Sequence, residues 1–535
     1  MQFPWLPFGW DKGGPWALAT RVALVGLAIV AAWTFRDYGM SWDEEYQSQY
    51  GQAVLDYYVS GFQDHRYREI FNLYLYGGMF DGLANALAAG WPQVDLYTFR
   101  HGLNALCGLL GLWGVWRLGR LAGGPATGFT ALALLALTPM YLGHMFNNPK
   151  DIPFAAGVTW TLYYMGRNLR AFPDIPPRLI LKLGALLGLT LGVRVGGVLL
   201  LVAWGAALVV RVMPLLAQSA PPLRWTRAEH LLKAFLRLVV PTTVIAYVVM
   251  LACWPWAQES PLIHPWQALW QFSHFPQDVE VLLNGVTLHS TNLPWFYAPL
   301  YLGVQLPLPQ LVLMTLGLGA GPWFLARATS AAERGLATLL VVTALTPVLV
   351  AVLAHSALYD AVRHFLFILP PLAVLGALTL TKTLARLPRA AVALVLAAVL
   401  GGLLEPIAAM VRLHPYEYIY ANPLIGGVRG AFGRFDLDYW GSSFREAAEE
   451  LQRYVAREGG VPEGHITQVA ICGPWSAALI YLPPDYEAVE ATDPDADFFL
   501  STTRWMCSSL RPGREIVRIT RDGVPLSVIK DLRVP

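Results

Sequence analysis

Ser41-Trp42-Asp43-Glu44-Glu45-Tyr46 sets three adjacent carboxylates just beyond the first strongly apolar run, where a membrane-crossing chain meets water. An aspartate partly desolvated at such a boundary and close to a cation suits a general base near neutral pH, because burial and neighbouring charge set its pKa. The same residues also suit the first turn of a helix, where carboxylates cap free N–H groups and complement the dipole; both readings stay open. A second acidic turn, Asn148-Pro149-Lys150-Asp151, follows the third apolar run. Ionisable groups at a span end are costly unless they face a cavity or a partner, although Lys150 and Asp151 also fit a solvated pair. Arg194 interrupts an apolar run in Gly192-Val193-Arg194-Val195-Gly196-Gly197 and needs a counter-charge, in a structural pair or from a substrate. In Tyr359-Asp360-Ala361-Val362-Arg363-His364, helical spacing puts Asp360, Arg363 and His364 near one face. Cations at the mouth of a span suit a phosphate, whose oxygens Arg grips in a bidentate fork; the other reading is an interfacial anchor with a local Asp–Arg pair.

The elements that must carry these residues follow from composition. The chain has 535 residues, of which 55% are hydrophobic and 14% charged, and its apolar residues fall in runs long enough to cross a bilayer. A formal net charge of +2 without a basic block excludes a nucleic-acid partner. About eleven spans are expected, near 17–35, 101–118, 124–142, 153–169, 179–195, 196–213, 233–254, 308–326, 335–354, 365–381 and 390–405. The run 179–213 reads as two helices joined near Arg194, because the charges then sort. Basic residues collect in alternate loops (Arg117 and Arg120; Arg167 and Arg170; Arg211 and Arg227; Arg327 and Arg334; Lys382, Arg386 and Arg389). The positive-inside rule puts these loops and the N-terminus in the cytoplasm. The opposite loops, about 36–100 and 254–307, and the tail then lie outside.

The chain divides at about residue 412. Residues 1–412 form a membrane domain, and 413–535 form a small α/β domain outside the membrane. In the latter a Ser-capped amphipathic helix begins near Gly441, with strands expected at 466–471, 496–500, 515–519 and 525–529. Cys472 and Cys507 fall in this part, and an oxidising compartment makes a disulfide between them a reasonable expectation. The loop 36–100 carries aromatic residues at helical intervals with Arg66 among them, as amphipathic helices admitting a lipid-borne substrate would. Asp436-Leu437-Asp438 matches a metal-binding pattern of soluble glycosyltransferases, but three residues on the outer side read as structural.

Taken together, Trp42-Asp43-Glu44-Glu45, Asn148-Pro149-Lys150-Asp151, Tyr359 to Phe365, His414-Pro415-Tyr416 and Asp438-Tyr439-Trp440-Gly441 resemble the C-type membrane glycosyltransferases. The nearest branch contains the protein O-mannosyltransferases and lipid A aminoarabinose transferases. The resemblance implies a helical polytopic membrane fold, here with an added outer α/β domain. It also implies inverting transfer of a hexosyl or pentosyl group from a polyprenyl-phosphate donor to a lipid, polysaccharide or protein acceptor. The setting would be the outer face of a bacterial inner membrane, with no metal or other cofactor. By position, Asp43 would be the base, Glu44 its support and Asp151 an orienting group. Lys150, Arg363 and His364 would take the donor phosphate, with Arg66, Arg194, Tyr359 and Asp360 as further substrate contacts. A transporter or flippase of lipid-linked sugars is the competing class, although no internal repeat marks one.

Overall fold

The computed structural model describes residues 14–217, 224–273, 278–460 and 465–533. The basic loop 211–233 and the outer loop 254–307 are therefore described only in part. The chain begins with α1 (Pro15–Thr34), α2 (Glu44–Val59), α3 (Met79–Ala88), α4 (Leu96–Gly123), α5 (Pro125–Ala136), α6 (Pro139–Asn147) and α7 (Asp151–Ala171). It continues through α8 (Pro177–Leu191), α9 (Leu199–Ala217), α10 (Arg224–Ala252), the short α11 (Pro255–Glu259), α12 (His264–Ser273) and α13 (Tyr297–Gln305). The bundle closes with α14 (Leu308–Gly319), α15 (Gly321–Arg327), α16 (Ala331–Leu353), α17 (Leu369–Leu384) and α18 (Arg389–Leu413). Beyond it come α19 (Gly427–Ala431), α20 (Phe444–Arg457) and α21 (Trp475–Leu479). The strands are β1 (Glu280–Leu283), β2 (Val286–His289), β3 (Thr467–Cys472), β4 (Tyr486–Glu490), β5 (Phe498–Thr502), β6 (Arg514–Arg521) and β7 (Val524–Asp531).

Each expected span is helical, but 6 helical segments among the described residues are long and apolar enough to cross a membrane alone, and up to 8 if two bent pairs each count as one span. The bent pairs are α5 with α6, at 68°, and α14 with α15, at 49°. The count falls below about eleven because α4, α7 and α8 do not qualify. The 15 residues of α8 are too few. Interior helices need not present apolar side chains to lipid: α4 buries Arg100, His101 and Asn104, and α7 buries Thr159, Thr161 and Asn168. Outer helices do the reverse, and α1 exposes Leu18, Val22, Ile29 and Trp33.

The run 179–213 breaks where the sequence suggests. Helix α8 ends at Leu191, Val195–Val198 make a 3₁₀ turn, and α9 starts at Leu199. Close packing at that break has a local cause. A Cβ on Gly77 would overlap the Gly192 carbonyl, so only glycine lets the segment before α3 approach here and bring Tyr76 alongside. The basic ends of α4, α7 and α17 meet at one cavity of about 420 Å³ lined by Arg120, Arg170 and Lys382. The start of α7 and the 3₁₀ turn Arg363–Ile368 before α17 lie at the other end of those helices.

After the bundle, five strands form a mixed sheet in the order β4-β3-β5-β7-β6. β3 runs parallel to β4 and β5, and the antiparallel pairs β5–β7 and β6–β7 complete it. Strand β4, with three of its five side chains part-buried or buried in no clean alternation, went unread in the sequence. The expected Ser cap also differs. Ser443 at the start of α20 makes no side-chain cap; its amide, with that of Ser442, donates to buried Asp438 instead. Asp438 thereby acts as a structural acceptor for the turn.

His414, just past α18, ties the end of the bundle to the segment after α1, with Nδ1 2.8 Å from Glu417 and Nε2 3.0 Å from Asp37. Burial lowers the imidazole pKa, but the bonds and charges of Glu417 and Asp37 outweigh it and raise the pKa above 6.5. The contribution to stability is therefore full below pH 6.5 and fades as pH climbs through the raised value. In detergent, the thermal midpoint should fall between about pH 6 and about pH 8, with a shallower slope in His414→Gln; parallel slopes would remove His414 as the cause.

Candidate active site

The first two carboxylates of the stretch 41–46 turn to different partners. Asp43 stands at the N-cap of α2 yet makes no side-chain cap. Its Oδ2 lies 3.2 Å from Arg363 Nη1. Glu44 turns the other way, is fully buried, and accepts from the Ser41 amide at 2.8 Å and the Ser41 hydroxyl at 3.2 Å. His101 Nε2 lies 3.1 Å from the same oxygen. Glu44 thus fixes the turn that presents Asp43, and touches none of the cluster around Arg363.

Arg363 is the meeting point. Its guanidinium reaches Asp43, Asp151 Oδ2 at 3.6 Å and Asp360 Oδ2 at 3.1 Å, and the side chain is 4% exposed. The rings of Tyr359 and Trp440 lie 5.1 and 5.3 Å from its central carbon. Asp151, at the first turn of α7, is held by Asn148, whose Nδ2 donates to its carboxylate and whose Oδ1 accepts its amide, both at 2.9 Å. The other Asp151 oxygen lies 2.7 Å from Arg194 Nη1. The counter-charge that Arg194 requires is therefore Asp151, and the helix break at residues 192–198 carries the arginine to it.

Lys150 does not pair with Asp151 in a solvated couple. It is nearly buried, with Nζ 4.1 Å from the centre of the Tyr76 ring. His364 packs edge to face on Tyr359, and its Nδ1 is buried without a hydrogen-bond partner. Arg194, His364 and Tyr359 line a cavity of about 200 Å³ whose other walls, Ser356 and Tyr76 apart, are apolar, among them Phe154, Leu199 and Phe367. Arg66 lies elsewhere, exposed and paired with Asp56 at 2.9 Å and Asp64 at 2.6 Å.

One residue of the cluster, Arg504, escapes the sequence reading, and it pairs with Asp436, which the sequence marks only as structural. Arg504 Nη1 lies 3.0 Å from Asp360 Oδ1, and its Nε lies 3.5 Å from Asp436. Burial pushes the Asp436 carboxyl up to about 6 despite Arg504. Nothing in the spacing of the tail marks Arg504; the three-residue interval to Cys507 is the one available signal. The Cys472–Cys507 disulfide joins the end of β3 to this segment, at a Cα–Cα distance of 5.7 Å. The backbone is strained on both sides of the cluster: Asp360 and Ala361 have φ of 55° and 59°, and Trp505 and Met506 have 53° and 55°. Such non-glycine residues cost about 1–3 kcal/mol each and persist where surrounding contacts fix them. Among the described residues no group of three or more His, Cys, Asp or Glu is placed to hold a metal ion.

Fold and site together define a helical polytopic membrane protein with a charged cluster at one end of its bundle and a small mixed sheet domain beside it. Residues 102–228, from α4 into α10, match the model of the dolichyl-phosphate-mannose-protein mannosyltransferase family. The match agrees with the resemblance to the C-type membrane glycosyltransferases in the protein-mannosyltransferase branch. Among solved structures, ArnT from Cupriavidus metallidurans bound to undecaprenyl phosphate is similar at 15% identity and a TM-score of 0.49, over 96% of this chain and 98% of that one. The Archaeoglobus fulgidus oligosaccharyltransferase tethered with an acceptor peptide is similar at 12% identity and a TM-score of 0.47, over 88% of this chain and 64% of that one. No curated protein matches.

Because Asp151 is buried between two arginines, Asp151→Ala should cost about 3–5 kcal/mol of stability by leaving both under-compensated. Asp43, whose side chain is 35% exposed, should cost about 1 kcal/mol or less in Asp43→Ala. Unfolding midpoints of the two variants in the same detergent compare them directly, and equal shifts would contradict this ranking.

Proposed function

We propose that the chain is an inverting glycosyltransferase that moves a sugar from a polyprenyl-phosphate carrier to an acceptor hydroxyl or amine on the outer face of a bacterial inner membrane. The observation that carries the reading is the pairing of an accessible carboxylate with a buried cationic group beside an apolar cavity. Of the carboxylates around Arg363, Asp43 is the accessible one: its side chain is 35% exposed, against 2% for Asp151 and 7% for Asp360. The family description of a dolichyl-phosphate-mannose donor supports the same substrate class.

In this reading the apolar cavity takes the first part of the prenyl chain, and the donor phosphate meets Arg363, with His364, Lys150 and Arg194 around it. A phosphate arriving at Arg363 competes with Asp43 for its N–H groups and releases the carboxylate toward the acceptor. Asp43 then accepts the acceptor proton as the acceptor atom bonds to the anomeric carbon. The bond from that carbon to the phosphate oxygen breaks on the opposite face, and its electron pair stays on the phosphate. Positive charge held in place before the reaction stabilises that leaving group without reorganisation. Asp151 positions Arg363 and Arg194, and Glu44 positions Asp43. The basic residues at the far ends of α4, α7 and α17 support an orientation with those ends in the cytoplasm and the cluster outside.

The test is transfer of radiolabelled sugar from a panel of synthetic polyprenyl-phosphate sugars by the purified chain in nanodiscs. Wild type should turn over at least one donor, and folded Asp43→Asn should lose about 10²–10⁴-fold in rate, the range for removing a general base. His364→Gln should chiefly raise KM for the donor. Full activity in Asp43→Asn removes it as the base, and labelled lipid crossing the bilayer without transfer replaces the enzyme by a transporter.

A further inference from the structure

The segment Arg504–Ser509 reaches from the C-terminal sheet into the cluster. Arg504 follows β5, is 5% exposed at its side chain, and donates from Nη1 to the Tyr439 carbonyl at 3.0 Å. Its guanidinium lies 4.3 Å from the centre of the Trp505 ring, and Trp505 meets Trp42, the neighbour of Asp43, edge to face at 5.7 Å. The loop is anchored behind by the disulfide at Cys507 and in front by Asp360. Asp360 gives one oxygen to each arginine, Oδ2 to Arg363 and Oδ1 to Arg504, although the two arginines lie 141 residues apart.

We infer that Arg504 is a positioning residue for anion binding: by sharing the Asp360 carboxylate it leaves Arg363 available to an incoming phosphate, so the C-terminal sheet domain completes the site. The inference rests on the glycosyltransferase reading. Four carboxylates (Asp43, Asp151, Asp360, Asp436) stand here against three guanidiniums (Arg194, Arg363, Arg504) and the Lys150 ammonium, which leaves no net charge. Without Arg504 the cluster carries one uncompensated negative charge, and Asp360 draws on Arg363 alone. Both effects oppose a phosphate. A second change, Asp360→Asn, removes that excess charge and frees Arg363, so it should repair the first. A merely structural role for Arg504 gives the opposite result, because two lost contacts add.

The experiment measures binding of undecaprenyl phosphate to the full chain in nanodiscs by native mass spectrometry, with thermal midpoints as a check on folding. Arg504→Gln should weaken binding about tenfold, Arg504→Lys less, and Asp360→Asn with Arg504→Gln should return within about twofold of wild type. If Arg504→Gln does not fold, Arg504→Lys carries the comparison, and adding Asp360→Asn should relieve its smaller loss. A double variant that binds no better than the single Arg504 variant, with both folded, overturns the inference. So does unchanged binding in Arg504→Gln beside normal wild-type binding. Failure of wild type to bind undecaprenyl phosphate defeats the glycosyltransferase reading itself, and this inference with it.

Discussion

A guanidinium taken out of water is the constraint on which the rest depends. Arg363 is 4% exposed, and an isolated ion so placed would cost several kcal/mol; three carboxylates surround it instead. They come from the turn before α2, the first turn of α7 and the turn just before Arg363 itself. The bundle can close only when these distant segments reach their places together. The excess of carboxylates is met in turn by Arg194 from the broken helix and Arg504 from the sheet domain. The membrane part and the tail therefore share one electrostatic network.

That network explains where the backbone is unusual. The left-handed pair Asp360–Ala361 aims the Asp360 carboxylate between two arginines, and buried Tyr297 donates to the Ala361 carbonyl at 3.2 Å. The left-handed pair Trp505–Met506 turns the chain so that Arg504 points inward while the Trp505 ring stays part-exposed beside Trp42. Strain of this kind survives only where contacts over-determine it, and here ion pairs, a disulfide and aromatic packing do so. An apolar cavity then meets charge at one wall, the arrangement an amphiphile with an anionic head requires.

Much of this was legible in the sequence, for a physical reason. In a chain with 14% charged residues, ionisable groups at the ends of apolar runs stand out, and Asp43, Asp151, Arg194, Asp360 and Arg363 all do. The break near Arg194 follows from how the basic residues sort into alternate loops, and the need for a counter-charge from the cost of a lone charge in an apolar run, but the partner itself does not, because pairing across about 40 residues is a property of packing. Arg66 was misplaced because a surface loop rich in charge pairs locally, here with Asp56 and Asp64. Arg504 was invisible for the opposite reason: in a polar tail an arginine carries no signal of burial. Interior helices such as α4 and α7 do not stand out as apolar spans by length and composition, because they keep polar side chains that lipid-facing helices avoid.

The most direct test of the account is an experimental structure of the full chain in nanodiscs with undecaprenyl phosphate bound. The account predicts phosphate oxygens within hydrogen-bond distance of Arg363, the first prenyl units in the cavity lined by Phe154, Leu199 and Phe367, and the Asp43 carboxylate released from Arg363. Phosphate bound elsewhere, with the Arg363–Asp43 pair intact, would contradict it.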